Sequence, residues 1–246
     1  MHHMGLLIIS ATISLFFLGL SILQPSRTSR NLPLIGFPIS LGLALVIYAS
    51  ISKKVDFFSI LTASFLTLSW FVYLMYSSSF GDRTSLMLKV GKKFPNIVLE
   101  TADAALFSSE VFLGSPTVYL FYRGNWCPLC VGQVKELVSA YKKLALNNIN
   151  IVFVSPQPHR YSKKLAKQHG LEFNFLTDSN NKVARQLGIE DINGVHPGLQ
   201  LFGYKSNTVL PTLIVTNKNN TITYADLTDN YRLRPDPETF LKIASP

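Results

Sequence analysis

The chain has 246 residues, with 23 Lys and Arg against 14 Asp and Glu, which gives a formal net charge of +9. A hydrophobic fraction of 48% and a charged fraction of 15% exclude a disordered chain and differ from those of an ordinary cytosolic enzyme. The basic residues are scattered and no nucleic-acid motif is present, so the charge predicts a surface beside an anionic membrane and no nucleic-acid partner.

Three apolar stretches follow one another at the N-terminus, where charged residues are scarce. Residues 6–23, 34–51 and 57–76 each approach the ~18–20 residues that a helix needs to cross the hydrocarbon core. The first stretch lacks the basic start and the small-residue cleavage site of a signal peptide, so we keep it as a helix. The sequence predicts a membrane anchor over residues 1–80 with three transmembrane helices that contact membrane lipid.

The basic residues around these stretches predict their orientation. Arg27 and Arg30 lie in the first connection, Lys53 and Lys54 lie in the second, and the region after the third stretch is basic. Most of this charge stays in the cytoplasm if the first connection and the C-terminal domain share that side. We therefore predict a multi-pass protein of the inner (cytoplasmic) membrane with a cytoplasmic C-terminal domain. No stretch carries an ionisable residue in its middle, which argues against a transporter and favours an anchor. The alternative that the helices form a binding groove for a quinone or lipid is kept.

Residues 88–246 alternate between strand and helix patterns, which predicts a separate α/β domain. The predicted strands are 96–100, 117–122, 151–154, 173–176, 213–216 and 221–225, and the predicted helices are 128–144, 160–169, 178–187 and 237–244.

The chain has 2 Cys, and they form a C-x-x-C motif, Cys127-Pro128-Leu129-Cys130, between a buried strand and a helix. Random placement would give this spacing only about 1% of the time, and two Cys are too few for a disulfide scaffold. The free N–H groups at a helix start favour a thiolate, so we expect Cys127 to be an exposed nucleophile with a lowered pKa. Cys130, one turn later, would be the resolving thiol, and Pro128 suits the first helical position.

Two neighbours of the motif could support its chemistry. Arg123 could hold a thiolate or guide a peroxide oxygen, or it could be only a surface charge. Trp126 could shield the thiol and contact a partner, or it could simply pack. A structural metal site would need a second Cys or His cluster, which the sequence lacks, so we expect no metal and no organic cofactor.

Several segments together resemble the peroxiredoxin-like proteins of the alkyl hydroperoxide reductase/thiol-specific antioxidant family, within the thioredoxin superfamily. These segments are residues 121–130 (FYRGNWCPLC), 154–157 (VSPQ), 177–185, 210–212 (LPT) and 229–238. The resemblance implies a thioredoxin-like fold over residues 88–246 and makes Pro211, followed by Thr212, a cis-proline facing the active site. It also implies antioxidant peroxide reduction, in which Cys127 becomes a sulfenic acid that Cys130 resolves.

The sequence departs from the family pattern Pro-x-x-x-Thr/Ser-x-x-Cys, because Leu120 and Gly124 stand at the Pro and Thr/Ser positions. We therefore expect first a thiol–disulfide oxidoreductase that cycles a Cys127–Cys130 dithiol. Its partners would be a protein disulfide and a thioredoxin-like or small-thiol reductant. The alternatives are a thiol-dependent peroxidase that acts on hydroperoxides with the same cysteines, and a redox-sensing membrane scaffold.

Overall fold

A computed structural model describes residues 2–25, 27–28, 33–51, 56–73, 79–81, 83, 87–140, 149–169, 174–230 and 232–244. Three apolar helices come first: α1, His2–Leu23; α2, Pro33–Ile51; and α3, Phe57–Val72. They coincide with the three predicted stretches, except that residues 74–76 lie outside the described residues. Arg30, Lys53 and Lys54, which entered the orientation prediction, also lie outside them.

The three helices, here called the helical module, pack through small residues and aromatic rings. A Cβ on Gly5 would lie 2.6 Å from the carbonyl oxygen of Gly42, so α1 and α2 approach closely where both residues are glycine. Trp70 is buried, and its ring lies 5.2 Å from that of Phe16. Among the described helices only α1, over His3–Leu23, is both long and apolar enough to cross a membrane. The presence of three transmembrane helices therefore stays a prediction.

The C-terminal domain is built on a seven-stranded sheet in the order β2-β1-β5-β4-β3-β8-β9. Its strands are β1, Val98–Glu100; β2, Leu106–Ser108; β3, Thr117–Phe121; β4, Asn150–Ser155; β5, Asn174–Thr177; β8, Thr212–Thr216; and β9, Ile222–Asp226. A separate ribbon pairs β6, Glu190–Asp191, with β7, Thr208–Val209. The helices are α4, Pro128–Ser139; α5, His159–His169; α6, Lys182–Leu187; and α7, Pro237–Ala244.

Strand β3 lies inside the sheet, parallel to β4 and antiparallel to β8. Its side chains alternate between two apolar cores, because successive residues of a strand point to opposite faces. Val118 and Leu120 join the core that contains the two cysteines, whereas Tyr119 and Phe121 join the core on the other face. This alternation explains why the strand is apolar at every position after Thr117.

The predicted α/β elements are all present, with changes at their ends. The first predicted strand begins at Val98 rather than at residue 96, and the predicted helix over 178–187 is helical only from Lys182, after a short 3-10 turn. The predicted hairpin is the antiparallel pair β8–β9. Residues 141–148 and 170–173, which were predicted to hold a helix end and the start of a strand, lie outside the described residues.

The connection after α1 docks directly onto α4. A Cβ on Gly132 would lie 2.2 Å from the carbonyl oxygen of Gln24, so the backbone of the connection touches the helix where it has no side chain. Arg27 pairs with Glu136 of α4 at 2.8 Å and with Asp236 at 3.1 Å. The helix that begins at the cysteines is therefore held against the end of α1.

Candidate active site

The cysteine pair stands where β3 gives way to α4. Cys127 is the N-cap residue of α4 with extended backbone (φ −94°, ψ 109°), and Pro128 occupies the first turn as predicted. The N–H of Cys127 donates to the carbonyl of Gly124 at 3.2 Å, which closes the turn before the helix. Both cysteines are free thiols.

Gly124 has a backbone conformation that explains the missing hydroxyl residue. Its φ is +140°, a region that residues with a side chain rarely adopt. A Cβ there would lie 3.0 Å from the ring of Trp126 and 3.3 Å from that of Tyr204. A Thr or Ser therefore does not fit this loop, and any group that positions a peroxide must come from elsewhere.

Gln157 holds the loop from its inner side. Its side-chain oxygen accepts from the N–H of Asn125 at 2.9 Å, and its amide group donates to the hydroxyl of Tyr122 at 2.9 Å. Gln157 is fully buried. Because a buried amide that loses a partner is costly, these bonds fix the loop that leads to Cys127.

The sequence prediction that Cys127 is exposed is wrong. Cys127 is 3% exposed and Cys130 is 0% exposed, because both belong to the core beneath β3. Cys127 nevertheless lines a cleft, and Cys130 does not. Cys127 is therefore the sulfur that a ligand in the cleft can reach.

The prediction of a lowered pKa at Cys127 is also wrong for that sulfur. A hydrogen bond that its S–H donates to Cys130, together with burial and the charge of Cys130, raises the pKa of Cys127 well above its ordinary value. Burial also raises the pKa of Cys130. Four interactions outweigh this effect of burial and lower the pKa of Cys130 to about 6: the hydrogen bond from Cys127, the charge of Arg234, the backbone N–H of Arg123 and the charge of Arg123. One proton thus bridges the two sulfurs, and the pair carries a thiolate at neutral pH.

Two buried guanidinium groups supply positive charge beside the pair. Arg123 is 9% exposed, pairs with Asp191 at 3.1 Å, and lies over the ring of Trp126 at 4.9 Å. Arg234 is 7% exposed, and its Nε and Nη2 have no hydrogen-bond partner among the described residues. Because its side chain is buried, Arg123 is not merely a surface charge, and its role in holding a thiolate or guiding a peroxide oxygen stays a prediction.

Pro211 and Thr212 form the corner that enters β8, where Thr212 pairs with Phe121 of β3. The described backbone contains no cis peptide bond, so the cis-proline expected from the resemblance is not found and Pro211 is trans, the isomer that most X-Pro bonds prefer. Arg83 binds the corner, donating to the carbonyl of Pro211 at 2.8 Å and to the hydroxyl of Thr212 at 2.6 Å. Both residues therefore lie at the start of β8, beside the end of β3 that leads into the cysteine loop.

The cleft in front of Cys127 has a volume of about 1300 Å³. Arg123, Trp126 and Pro128 line it on the side of the C-terminal domain, together with the segment 190–194. Trp126 is half-buried, and its ring meets that of His196 edge to face at 5.4 Å. Trp126 therefore both packs and borders the space in front of the thiol. Within the described part of the chain, no group of His, Cys, Asp and Glu side chains could hold a metal ion.

The sequence reasoning missed Arg234, Asp191 and Gln157. Arg234 and Gln157 lie in segments that resemble the family, but nothing local distinguishes them from other polar residues. Their positions depend on contacts between residues far apart in the chain, such as the bond from Gln157 to Tyr122.

These features define a thiol redox site on a thioredoxin-like α/β domain. Residues 90–225 match the family model described as the AhpC/TSA family, and the chain belongs to that family.

The curated relatives that it matches are peroxiredoxins. "Peroxiredoxin Q, chloroplastic" of Populus jackii is 29% identical over 132 residues, which are 52% of this chain and 62% of that protein. The Arabidopsis thaliana protein of the same name is 26% identical over 168 residues, 68% of this chain and 76% of the other. The chain spans less than two thirds of the Populus jackii protein.

Solved structures show the same fold. Peroxidoxin BcpB from Mycobacterium tuberculosis superposes with a TM-score of 0.52 at 18% identity, covering 64% of this chain and 96% of that one. Reduced Prx3 from Vibrio vulnificus gives a TM-score of 0.52 at 16% identity, covering 65% and 100%. The fold of the C-terminal domain is therefore that of the peroxiredoxins.

Proposed function

We propose that the protein is a thiol-dependent oxidoreductase that reduces hydroperoxides with the Cys127–Cys130 dithiol. The observation that carries the proposal is the buried thiol pair, which shares one proton beside Arg123 and Arg234 and opens to a cleft through Cys127. Membership of the AhpC/TSA family supports hydroperoxide as the oxidant. The sequence predicts exchange with a protein disulfide as the first function and peroxide reduction as an alternative. Membership of the family and the lowered pKa of Cys130 support peroxide reduction as the first function.

The shared proton suggests how the first step proceeds. As the sulfur of Cys127 attacks the outer oxygen of ROOH, its proton passes to the Cys130 thiolate. The O–O bond breaks, the leaving RO⁻ takes that proton, and the products are Cys127–SOH and ROH. The Cys130 thiolate then attacks the sulfur of Cys127, forms the disulfide and releases hydroxide, which solvent protonates. Arg123 and Arg234 would stabilise the negative charge throughout.

Single-cysteine variants test this division of roles. In Cys130→Ser, one equivalent of hydroperoxide should leave a sulfenic acid on Cys127 that dimedone labels, because no resolving thiol remains. In Cys127→Ser, no rapid oxidation should occur, since Cys130 does not reach the cleft. Dimedone labelling of Cys130 in the Cys127→Ser variant at the parent rate would reverse the assignment.

A thiol reductant must reopen the disulfide. We propose a thioredoxin-like protein or a small thiol, which would attack Cys127 because it is the sulfur that lines the cleft. A second candidate function, exchange with a protein disulfide, is favoured by one observation: Gly124 leaves no room for the hydroxyl that the family places near the peroxide. This candidate would be favoured if Cys130→Ser trapped mixed disulfides with proteins and the parent protein reacted slowly with peroxide.

We also propose that residues 1–80 anchor the redox domain, residues 88–246, in the inner membrane. The support is the long apolar helix α1, the close contact of Gly5 with Gly42, which is typical of helices packed in lipid, and many large apolar side chains exposed on the module. The exposed set includes Leu7, Leu15, Phe57, Phe65 and Leu68.

Fractionation tests the anchor. The full chain should remain with membranes after an alkaline carbonate wash, whereas recovery in the soluble fraction would contradict the proposal. The basic connection after α1 supports a cytoplasmic location of the redox domain. Protease digestion of sealed vesicles of known orientation tests this location.

A further inference from the structure

One wall of the cleft comes from the helical module. Phe17, Leu20 and Ser21 of α1 line the cleft, as does Tyr73 directly after α3. The rings of Phe17 and Tyr73 meet edge to face at 5.2 Å, so the ends of the two helices form one aromatic surface. Cys127 lies across the same cleft. The apolar helices therefore border the space in front of the thiol directly.

The cleft extends back along α1 from the end of that helix. Phe17 precedes the last residue of α1, Leu23, by six positions. At about 1.5 Å per residue, Phe17 lies about 9 Å from the helix end. The polar layer on each side of a bilayer is only about 5–8 Å thick. If α1 spans the membrane, the outer part of the cleft thus reaches the depth of the acyl chains.

Polarity changes along the cleft. The part near the thiol holds Arg123 and Asp191, which pair at 3.1 Å, whereas Phe17, Leu20 and Tyr73 form the part along the helices. Its volume of about 1300 Å³ exceeds the ~300–1,000 Å³ of ordinary small-molecule sites. Hydrogen peroxide would occupy little of this space. A ligand that matches the whole cleft has a long apolar part and one polar, reactive group.

We propose that the cleft binds one acyl chain of a membrane lipid along Phe17, Leu20 and Tyr73 and presents the group on that chain to Cys127. The nature of that group, a hydroperoxide, rests on the proposed function, whereas the binding of the chain rests on the cleft itself. The helical module is then part of the substrate site as well as an anchor, and these three side chains set its specificity.

Fluorescence quenching by brominated lipid tests the binding. The chain has 2 Trp, so Trp70→Phe leaves Trp126, on the wall of the cleft, as the sole tryptophan. The full-length protein is reconstituted into phosphatidylcholine vesicles with or without bromine on the acyl chains. We expect brominated lipid to quench Trp126, and we expect Ser21→Phe, which fills the cleft, to reduce that quenching at least twofold. Ile22→Phe is the matched control, because Ile22 is 69% exposed and lies outside the cleft.

The outcomes separate this inference from the proposed function. Absence of quenching in the parent protein, or equal quenching in the two Phe variants, overturns the acyl-chain site. In the same vesicles, the rate of oxidation by phospholipid hydroperoxide is divided by the rate of oxidation by hydrogen peroxide. Ser21→Phe should lower this ratio at least fivefold, and Ile22→Phe should leave it unchanged. If neither peroxide oxidises the pair while the quenching pattern holds, the proposed function fails and the acyl-chain site stands.

Discussion

Replacing Arg234 with Gln removes a buried cation that acts on both thiols. The charge of Arg234 lowers the pKa of Cys130 and opposes the rise in the pKa of Cys127. Two of its donor nitrogens have no hydrogen-bond partner among the described residues, and the carboxyl group of Asp226 also interacts with its charge. We expect Arg234→Gln to raise the pKa at which the pair becomes a thiolate.

The size of the effect follows from the pKa of Cys130, which lies at about 6 against an ordinary 9.0. A nearby opposite charge shifts a pKa by about 1–3 units, and about one unit corresponds to ~1.4 kcal/mol. With a rise of about one unit, the thiolate fraction falls from about one half to about one tenth at pH 6, and from about 0.9 to about 0.5 at pH 7. The loss is thus about fivefold at the lower pH and about twofold at the higher.

The pH dependence of iodoacetamide alkylation of the reduced full chain measures this shift. The midpoint should move from about pH 6 to about pH 7 in Arg234→Gln, whereas Arg234→Lys, which keeps the charge, should stay near the parent value. Arg185→Gln is the control, because Arg185 is a half-exposed arginine that pairs with Glu190 at 2.9 Å. An unchanged midpoint in Arg234→Gln would refute the assignment of Arg234 as a cation of the thiolate.

Three further predictions concern the loop, the docking of the module and the pH profile. Gly124→Ala should lower the free energy of unfolding by about 2 kcal/mol, since it combines a left-handed φ with a contact to Trp126, and Gly124→Thr should do the same without faster peroxide reduction. Gly114→Ala is the control, because Gly114 has a φ of +90° and open space around it. In thermal melts it should lower the free energy of unfolding by less than Gly124→Ala does. Gly132→Ala should loosen the connection after α1 from α4 and speed proteolysis near residue 25, whereas Gly19→Ala, which meets nothing within 4 Å, should not. Because the pKa of Cys130 is lowered to about 6, the thiolate is present above about pH 6 and lost below it. The rate of peroxide reduction should therefore level off above that pH and fall about tenfold per pH unit below it. A midpoint near pH 9 would contradict the shared-proton site.

Local signals in the sequence were sufficient for much of the fold. The apolar run of β3 predicted a buried strand because both of its faces meet a core. The C-x-x-C spacing with Pro128 predicted a helix start at the cysteines, since proline suits the first turn. The hairpin β8–β9 followed from two β-rich runs around a polar turn.

The electrostatics of the site could not be predicted in the same way. The expected low pKa of Cys127 came from its place at a helix start, but the hydrogen bond to Cys130 and burial raise that pKa in the folded chain. Arg123 lies close to the pair in the sequence, but the second charge that acts on the pair comes from Arg234, far away in the sequence. The contribution of Phe17 to the cleft likewise depends on how the helical module docks, which no single segment specifies.

The rate at which hydrogen peroxide oxidises the reduced full-length protein tests the central claim most directly. Stopped-flow measurement followed by peptide mapping should give a rate constant orders of magnitude above that of a free thiol, with the Cys127–Cys130 disulfide as the product and no fast phase in Cys127→Ser. A rate like that of a free thiol, or a fast phase that survives in Cys127→Ser, would contradict the account.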